Sequence, residues 1–125
     1  MLTGENRRQD GAEHETLALR HLEAKGYQLV RQNFTFGRIG EIDLIMRDGA
    51  TWVFIEVKAR RSYRYGRPEE AITEAKRRVI RRVAEGFIHL WKIADVRARF
   101  DVVAVDYVSG RDGEPEIRHL IDAFP

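Results

Sequence analysis

Residues 41–46 read Glu41-Ile42-Asp43-Leu44-Ile45-Met46, and residues 52–58 read Trp52-Val53-Phe54-Ile55-Glu56-Val57-Lys58. The second run opens with four apolar residues, apolar on both faces, as a central strand requires. Side chains alternate along a strand, so Trp52, Phe54, Glu56 and Lys58 share a face. Two charges therefore end a strand otherwise fit for burial, and they stand roughly 6–7 Å apart along it. In the first run Glu41, Asp43 and Ile45 share one face, and Ile42, Leu44 and Met46 the other. Asp48-Gly49 lies between the runs and is a hairpin signal. An antiparallel pairing brings an acid of the first strand beside the Glu56/Lys58 end of the second. Crowded carboxylates repel until a cation or a shared proton relieves them. A hard divalent cation with oxygen ligands is the simplest relief, Mg²⁺ or Mn²⁺.

As a chemical hypothesis, Asp43, Glu56 and the Val57 backbone carbonyl hold the metal. The metal lowers the pKa of a bound water and draws charge from a phosphate oxygen. Lys58 positions that water or helps deprotonate it. The competing reading is an ion pair of Glu56 with Lys58 at a strand end and a solvated Asp43, since such short patterns recur by chance.

Outward from these runs, residues 10–25 have helical spacing, with Leu19 and Leu22 on one stripe and Gly26 as a stop. Glu15 lies along that stripe, where a carboxylate needs a partner. It is a further metal ligand, direct or through water. Residues 1–9 are polar and expected to be loose. Tyr27–Phe34 reads as a strand, Ile39–Arg47 and Thr51–Ala59 as the hairpin, and Arg99–Val108 and Glu116–Ile121 as two more strands. Pro68 is expected to open a helix reaching about Trp91, striped by Ile72, Ala75, Val79, Val83 and Phe87. Arg77, Arg78, Arg81 and Arg82 fall opposite, and Lys76 at the border. The order α-β-β-β-α-β-β predicts one α/β domain over residues 1–125, a mixed β-sheet flanked by helices.

Charge separates along the chain. Lys58 to Arg82 holds ten basic and three acidic residues, a net +7, which leaves −5 for the rest of a 125-residue chain totalling +2. A basic block in an otherwise acidic chain suits a polyanion. Arg60, Arg61, Arg64, Lys76, Arg77 and Arg81 are the expected nucleic-acid contacts. Tyr63 and Tyr65, interleaved with Arg64 and Arg67, suit stacking on unpaired bases. There is no Cys, which excludes disulfides, thiol catalysis and Cys-ligated metals and fits a reducing cytoplasm. The longest aliphatic runs, such as Val102–Val105, are too short to span a membrane, and the polar N-terminus lacks the apolar core of a signal peptide. No P-loop is present. His14, His21, His89 and His119 show no metal-ligand spacing, and His14 is expected at the solvated surface.

The chain resembles the YraN-like family of small bacterial proteins. The resemblance runs through His14-Glu15, Ala18, Gly26-Tyr27 and Asn33. It is strongest in Gly40-Glu41-Ile42-Asp43-Leu44-Ile45 and in Val53-Phe54-Ile55-Glu56-Val57-Lys58-Ala59-Arg60. Gly66, Lys76 and Arg99-Phe100-Asp101-Val102-Val103 continue it. The family looks like a branch of the PD-(D/E)XK nucleases, near the Holliday-junction resolvases. That resemblance implies a restriction-endonuclease-like core. It also implies that Glu15, Asp43, Glu56 and Lys58 match the helix Glu, strand Asp and Glu-x-Lys of the superfamily. His14 stands where the family usually has Gly, and Glu13 lies nearby; the distance to Gly26-Tyr27 favours Glu15 as the helix acid. The expectation is a Mg²⁺- or Mn²⁺-dependent endonuclease acting on DNA, with junction DNA as one substrate and a homodimer implied by resolution. The alternative is a non-catalytic nucleic-acid-binding module of the same fold.

Overall fold

The computed structural model describes residues 4–125, with side chains from residue 11 onward. Helix α1 spans Gly4–Ala24. It begins well before Asp10, so the stretch expected to be loose is helical from Gly4; residues 1–3 lie outside the described residues. The chain leaves α1 through Gly26 at φ +95°, and the Tyr27 N–H donates to the Leu22 carbonyl at 3.1 Å. This is the left-handed exit that glycine favours.

Five strands follow: β1 (Gln28–Phe36), β2 (Gly40–Asp48), β3 (Thr51–Arg60), β4 (Arg97–Arg111) and β5 (Glu114–Phe124). They form one sheet in the order β1-β2-β3-β4-β5. Only β3 and β4 run parallel. A parallel pair needs a crossover, and helix α2 (Glu74–Leu90) supplies it. The expected mixed sheet and antiparallel β2–β3 hairpin are both present, and the architecture is that of a restriction-endonuclease-like core. Strands β4 and β5 outrun their expected lengths because their joining turn narrows to Asp112 and Gly113, both at positive φ, the geometry of a tight hairpin.

Alternation along β3 divides the core. Phe54 and Trp52 face α2 together with Ile45, Ile80, Val83 and Phe87. Val53 and Ile55 face α1 with Leu44, Met46, Ala18 and Leu22. Phe87 meets Phe34, Trp52 and Phe54 edge-on, with centroids 5.1, 5.6 and 6.1 Å away, the arrangement aromatic quadrupoles prefer. Helix α2 also lies very close to the sheet. A Cβ on Gly86 would stand 2.5 Å from the Phe36 ring.

The second helix differs from its expected form. Pro68 opens only a 3-10 turn, Pro68–Ala71. Ile72 then turns extended (φ −93°, ψ 99°) and is buried. Thr73 restarts the chain as the cap of α2, its hydroxyl accepting the Lys76 N–H at 3.2 Å. The break resets the helical phase. The buried stripe is Ile80, Val83, Ala84 and Phe87, while Ala75 is exposed. No helix among the described residues is long and apolar enough to cross a membrane.

Candidate functional site

The β2–β3 ladder is regular from Asp48↔Thr51 to Leu44↔Ile55, where its pairing ends. Asp43 and Glu56 come next on their strands. Instead of a main-chain bond across the gap, Asp43 Oδ2 accepts the Val57 N–H at 2.8 Å. A side-chain oxygen thus replaces the ladder carbonyl, and the two strands part around a carboxylate.

Strand β2 shows where alternation fails. Ile42 and Ile45 both join the core against α2, although an odd number of steps separates them. The expected grouping of Ile42 with Leu44 and Met46 therefore fails at Asp43. On β1, Asn33 lies between the pairs Gln32↔Leu44 and Phe34↔Ile42 and has φ +51°. This left-handed residue, which Asn tolerates better than most, breaks the alternation on its own strand, since Phe34 packs against α2. Its side-chain amide faces Glu15 and favours the charged form of that carboxyl.

Burial and like charge dominate the electrostatics. Glu56 is 4% exposed, and its Oε2 has no hydrogen-bond partner. Burial, then the charge of Asp43, pushes its carboxyl up to about 8, against the opposing pull of Lys76 and Lys58. Lys76 Nζ lies 3.8 Å from Glu56 Oε1. Glu15 is raised to about 7, by burial first and then by Asp43, with Asn33 opposing. Glu41 is raised as well, by burial and by Asp43, with Lys76 opposing. These environments favour neutral acids or a compensating cation. Glu15 arrives from the α1 layer and Lys76 from the α2 layer. Both reach the end of the sheet where β2 and β3 part. A groove of about 360 Å³, lined by Glu15, Thr16, Gln32 and Asn33, opens beside Glu15.

Several expectations change in detail. Glu13 is exposed whereas Glu15 is half-buried towards Asp43. His14, expected at the surface, is buried against Tyr107 with ring centroids 5.5 Å apart. The buried face of α1 is thus His14, Ala18 and Leu22, with Glu15 beside it. Asn33 and Glu41, given no role on sequence grounds, belong to the electrostatic cluster. Their signal lay in position alone: Glu41 two residues before Asp43, and Asn33 at a strand interior where Asn is unusual.

A cation fits the pair. Two carboxylates, one with a buried unpartnered oxygen, suit a magnesium ion, which binds through one or two carboxylates and keeps several waters. Val57, whose carbonyl is the expected third ligand, lies between Glu56 and Lys58. Among the described residues no three acidic or imidazole groups close on one point as a finished ligand set.

The basic residues divide. Arg61 lies over the Tyr107 ring at 4.0 Å, and Arg60 donates to the Ala59 carbonyl at 3.1 Å. Arg81 is held by Glu74 at 2.7 Å and by the Pro125 carbonyl at 2.9 Å. Arg77 lies over the Phe124 ring at 5.4 Å. Neither points outward as expected, because both turn towards the end of β5. Arg64, Arg78 and Arg82 are exposed.

Residues 14–105 match the model of "Uncharacterised protein family UPF0102". The chain belongs to the UPF0102 family. The resemblance to YraN-like proteins agrees with it. A UPF0102 protein of Caldicellulosiruptor saccharolyticus is 40% identical over 95% of this chain and 99% of its own. One from Geobacter sulfurreducens is 41% identical over 91% and 87%, and one from Symbiobacterium thermophilum 43% identical over 94% and 97%. The UPF0102 match takes in Glu15, Asn33, Glu41, Asp43, Glu56, Lys58 and Lys76 and stops before β5.

Proposed function

We propose that the chain is a divalent-cation-dependent endonuclease that hydrolyses phosphodiester bonds in DNA, with branched or junction DNA as its substrate class. The observation that carries this reading is Glu56: a carboxylate buried beside Asp43, with an unpartnered oxygen and with two lysines acting on it. Such a group is costly to a fold unless it serves a charge that arrives later.

When bound, Mg²⁺ or Mn²⁺ supplies Lewis acidity and an acidified water. Asp43 and Glu56 bind the ion, and the Val57 N–H fixes the Asp43 carboxylate. Glu15, oriented by Asn33, holds a water on the α1 side. Lys58, on the Glu56 face of β3, orients the attacking water and helps draw off the proton it loses as its oxygen bonds phosphorus and the leaving oxygen departs. Lys76 faces the phosphate from α2. The exposed arginines contact flanking phosphates without reading sequence.

The test is a panel of branched, nicked, single-stranded and blunt duplex DNA with Mg²⁺ or Mn²⁺. Glu56→Ala and Lys58→Ala are expected to abolish cleavage while keeping the circular dichroism of the parent. Cleavage that survives both changes would overturn the assignment. Salt-sensitive binding without cleavage under either metal would replace it with a non-catalytic binding module.

A further inference from the structure

Tyr65 is 80% exposed, the most exposed large apolar side chain among the described residues. Its exposure is built rather than loose. Tyr63 to Gly66 forms a hydrogen-bonded turn in which the Gly66 N–H donates to the Tyr63 carbonyl at 3.0 Å. Gly66 sits at φ +95°, a conformation other residues resist. The Tyr63 hydroxyl donates to Asp106, which is fully buried. Downstream, Pro68 is buried, and Arg118 clamps Glu69 at 2.7 Å and Asp106 at 2.9 Å. The turn is thus pinned at both ends to the sheet, with Tyr65 held outward. The Arg64 guanidinium lies over the Tyr65 ring, 5.6 Å from its centroid, a cation on one face of an exposed aromatic side chain.

The turn's place matters as much as its shape. In the parallel register Lys58 pairs with Ala104 and Arg60 with Asp106. The turn therefore starts just past the carboxyl end of β3, the end that carries Lys58 and where ligands of α/β sheets bind, alongside β4 as it runs on to Arg111. We infer that Tyr65 is a stacking platform for an unpaired nucleobase, with Arg64 on the adjoining phosphate. The preferred substrate then has a single-stranded or splayed nucleotide near the bond that is cut. This deepens the nuclease reading and rests on it for the substrate. A blunt duplex offers no free base face, whereas flaps, gaps and open junction centres do.

The experiment separates binding from cleavage. Glu56→Ala protein, which keeps the fold but not the proposed metal site, is titrated with two DNAs carrying 2-aminopurine: a flap with the probe unpaired at the branch, and a blunt duplex. The titrations are repeated with Tyr65→Ala and Tyr65→Trp added. Stacking is worth about 5- to 150-fold in affinity per base. Tyr65→Ala should weaken flap binding by such a factor, leave duplex binding within about 2-fold, and abolish fluorescence quenching; Tyr65→Trp should retain both. Equal loss on both DNAs, no loss on either, or no binding at all would overturn the platform. The nuclease reading stands or falls separately, on cleavage of the same flap by protein with Glu56 intact.

Discussion

At the scale of single residues, Glu56 sets the behaviour with pH. Its ordinary value is 4.5, and burial beside Asp43 pushes it up to about 8 in the fold. Between those values the folded chain holds a proton that the unfolded chain has released. The stability tied to this group is thus full below about 4.5 and lost as pH rises through about 8. Glu56→Gln should flatten that slope and stabilise the fold near pH 9 by about 1–3 kcal/mol, read as Tm against pH. Mg²⁺ should raise the Tm of the parent at that pH and not that of the variant. Parallel Tm profiles would refute both statements. Glu56 and Asp43 were conspicuous in sequence because charges sat in runs fit for burial. Asn33 was not conspicuous, because its role depends on a left-handed φ in mid-strand, and a period-two reading has no means to show where alternation stops.

At the scale of elements, α2 depends on how near it can approach the sheet. Gly86 lets the Phe36 ring lie where a Cβ would stand. Gly86→Val should destabilise the fold by about 1–3 kcal/mol through overpacking, measured by urea titration. An unchanged midpoint would show that Phe36 moves aside freely. Most elements were legible in order and type because their apolar periods are strong and Gly26 and Asp48-Gly49 mark ends. The start of α2 was hidden. Pro68, Glu69 and Glu70 make a persuasive helix opening, yet Ile72 gains more by burial than by continuing the turn, and Thr73 then caps a new helix.

At the scale of the whole molecule, β5 is joined to the rest by buried charge. Asp101 accepts from His119 at 2.7 Å and from Arg99 at 3.1 Å, and Asp106 accepts from Arg118 and Tyr63. Burial opposes the charge on Asp106, but Tyr63, Arg118 and two backbone amides hold it down to about 2. Its contribution is present above its ordinary 3.8 and lost as pH falls through about 2. Asp106→Asn should cost about 1.5–3 kcal/mol at pH 7, and the gap from the parent should close near pH 2. A gap that stays constant would place the stabilisation elsewhere. None of this network was legible, since its members are scattered over residues 63–119 and only the β4–β5 register brings them together.

The parting of β2 and β3 has one more consequence. Because the Val57 amide donates to a carboxylate rather than to a carbonyl, its proton is an internal reporter. Its chemical shift and exchange rate follow the charge and occupancy of Asp43. Events at the site are thereby observable on a backbone nucleus without any label attached to the side chains that take part.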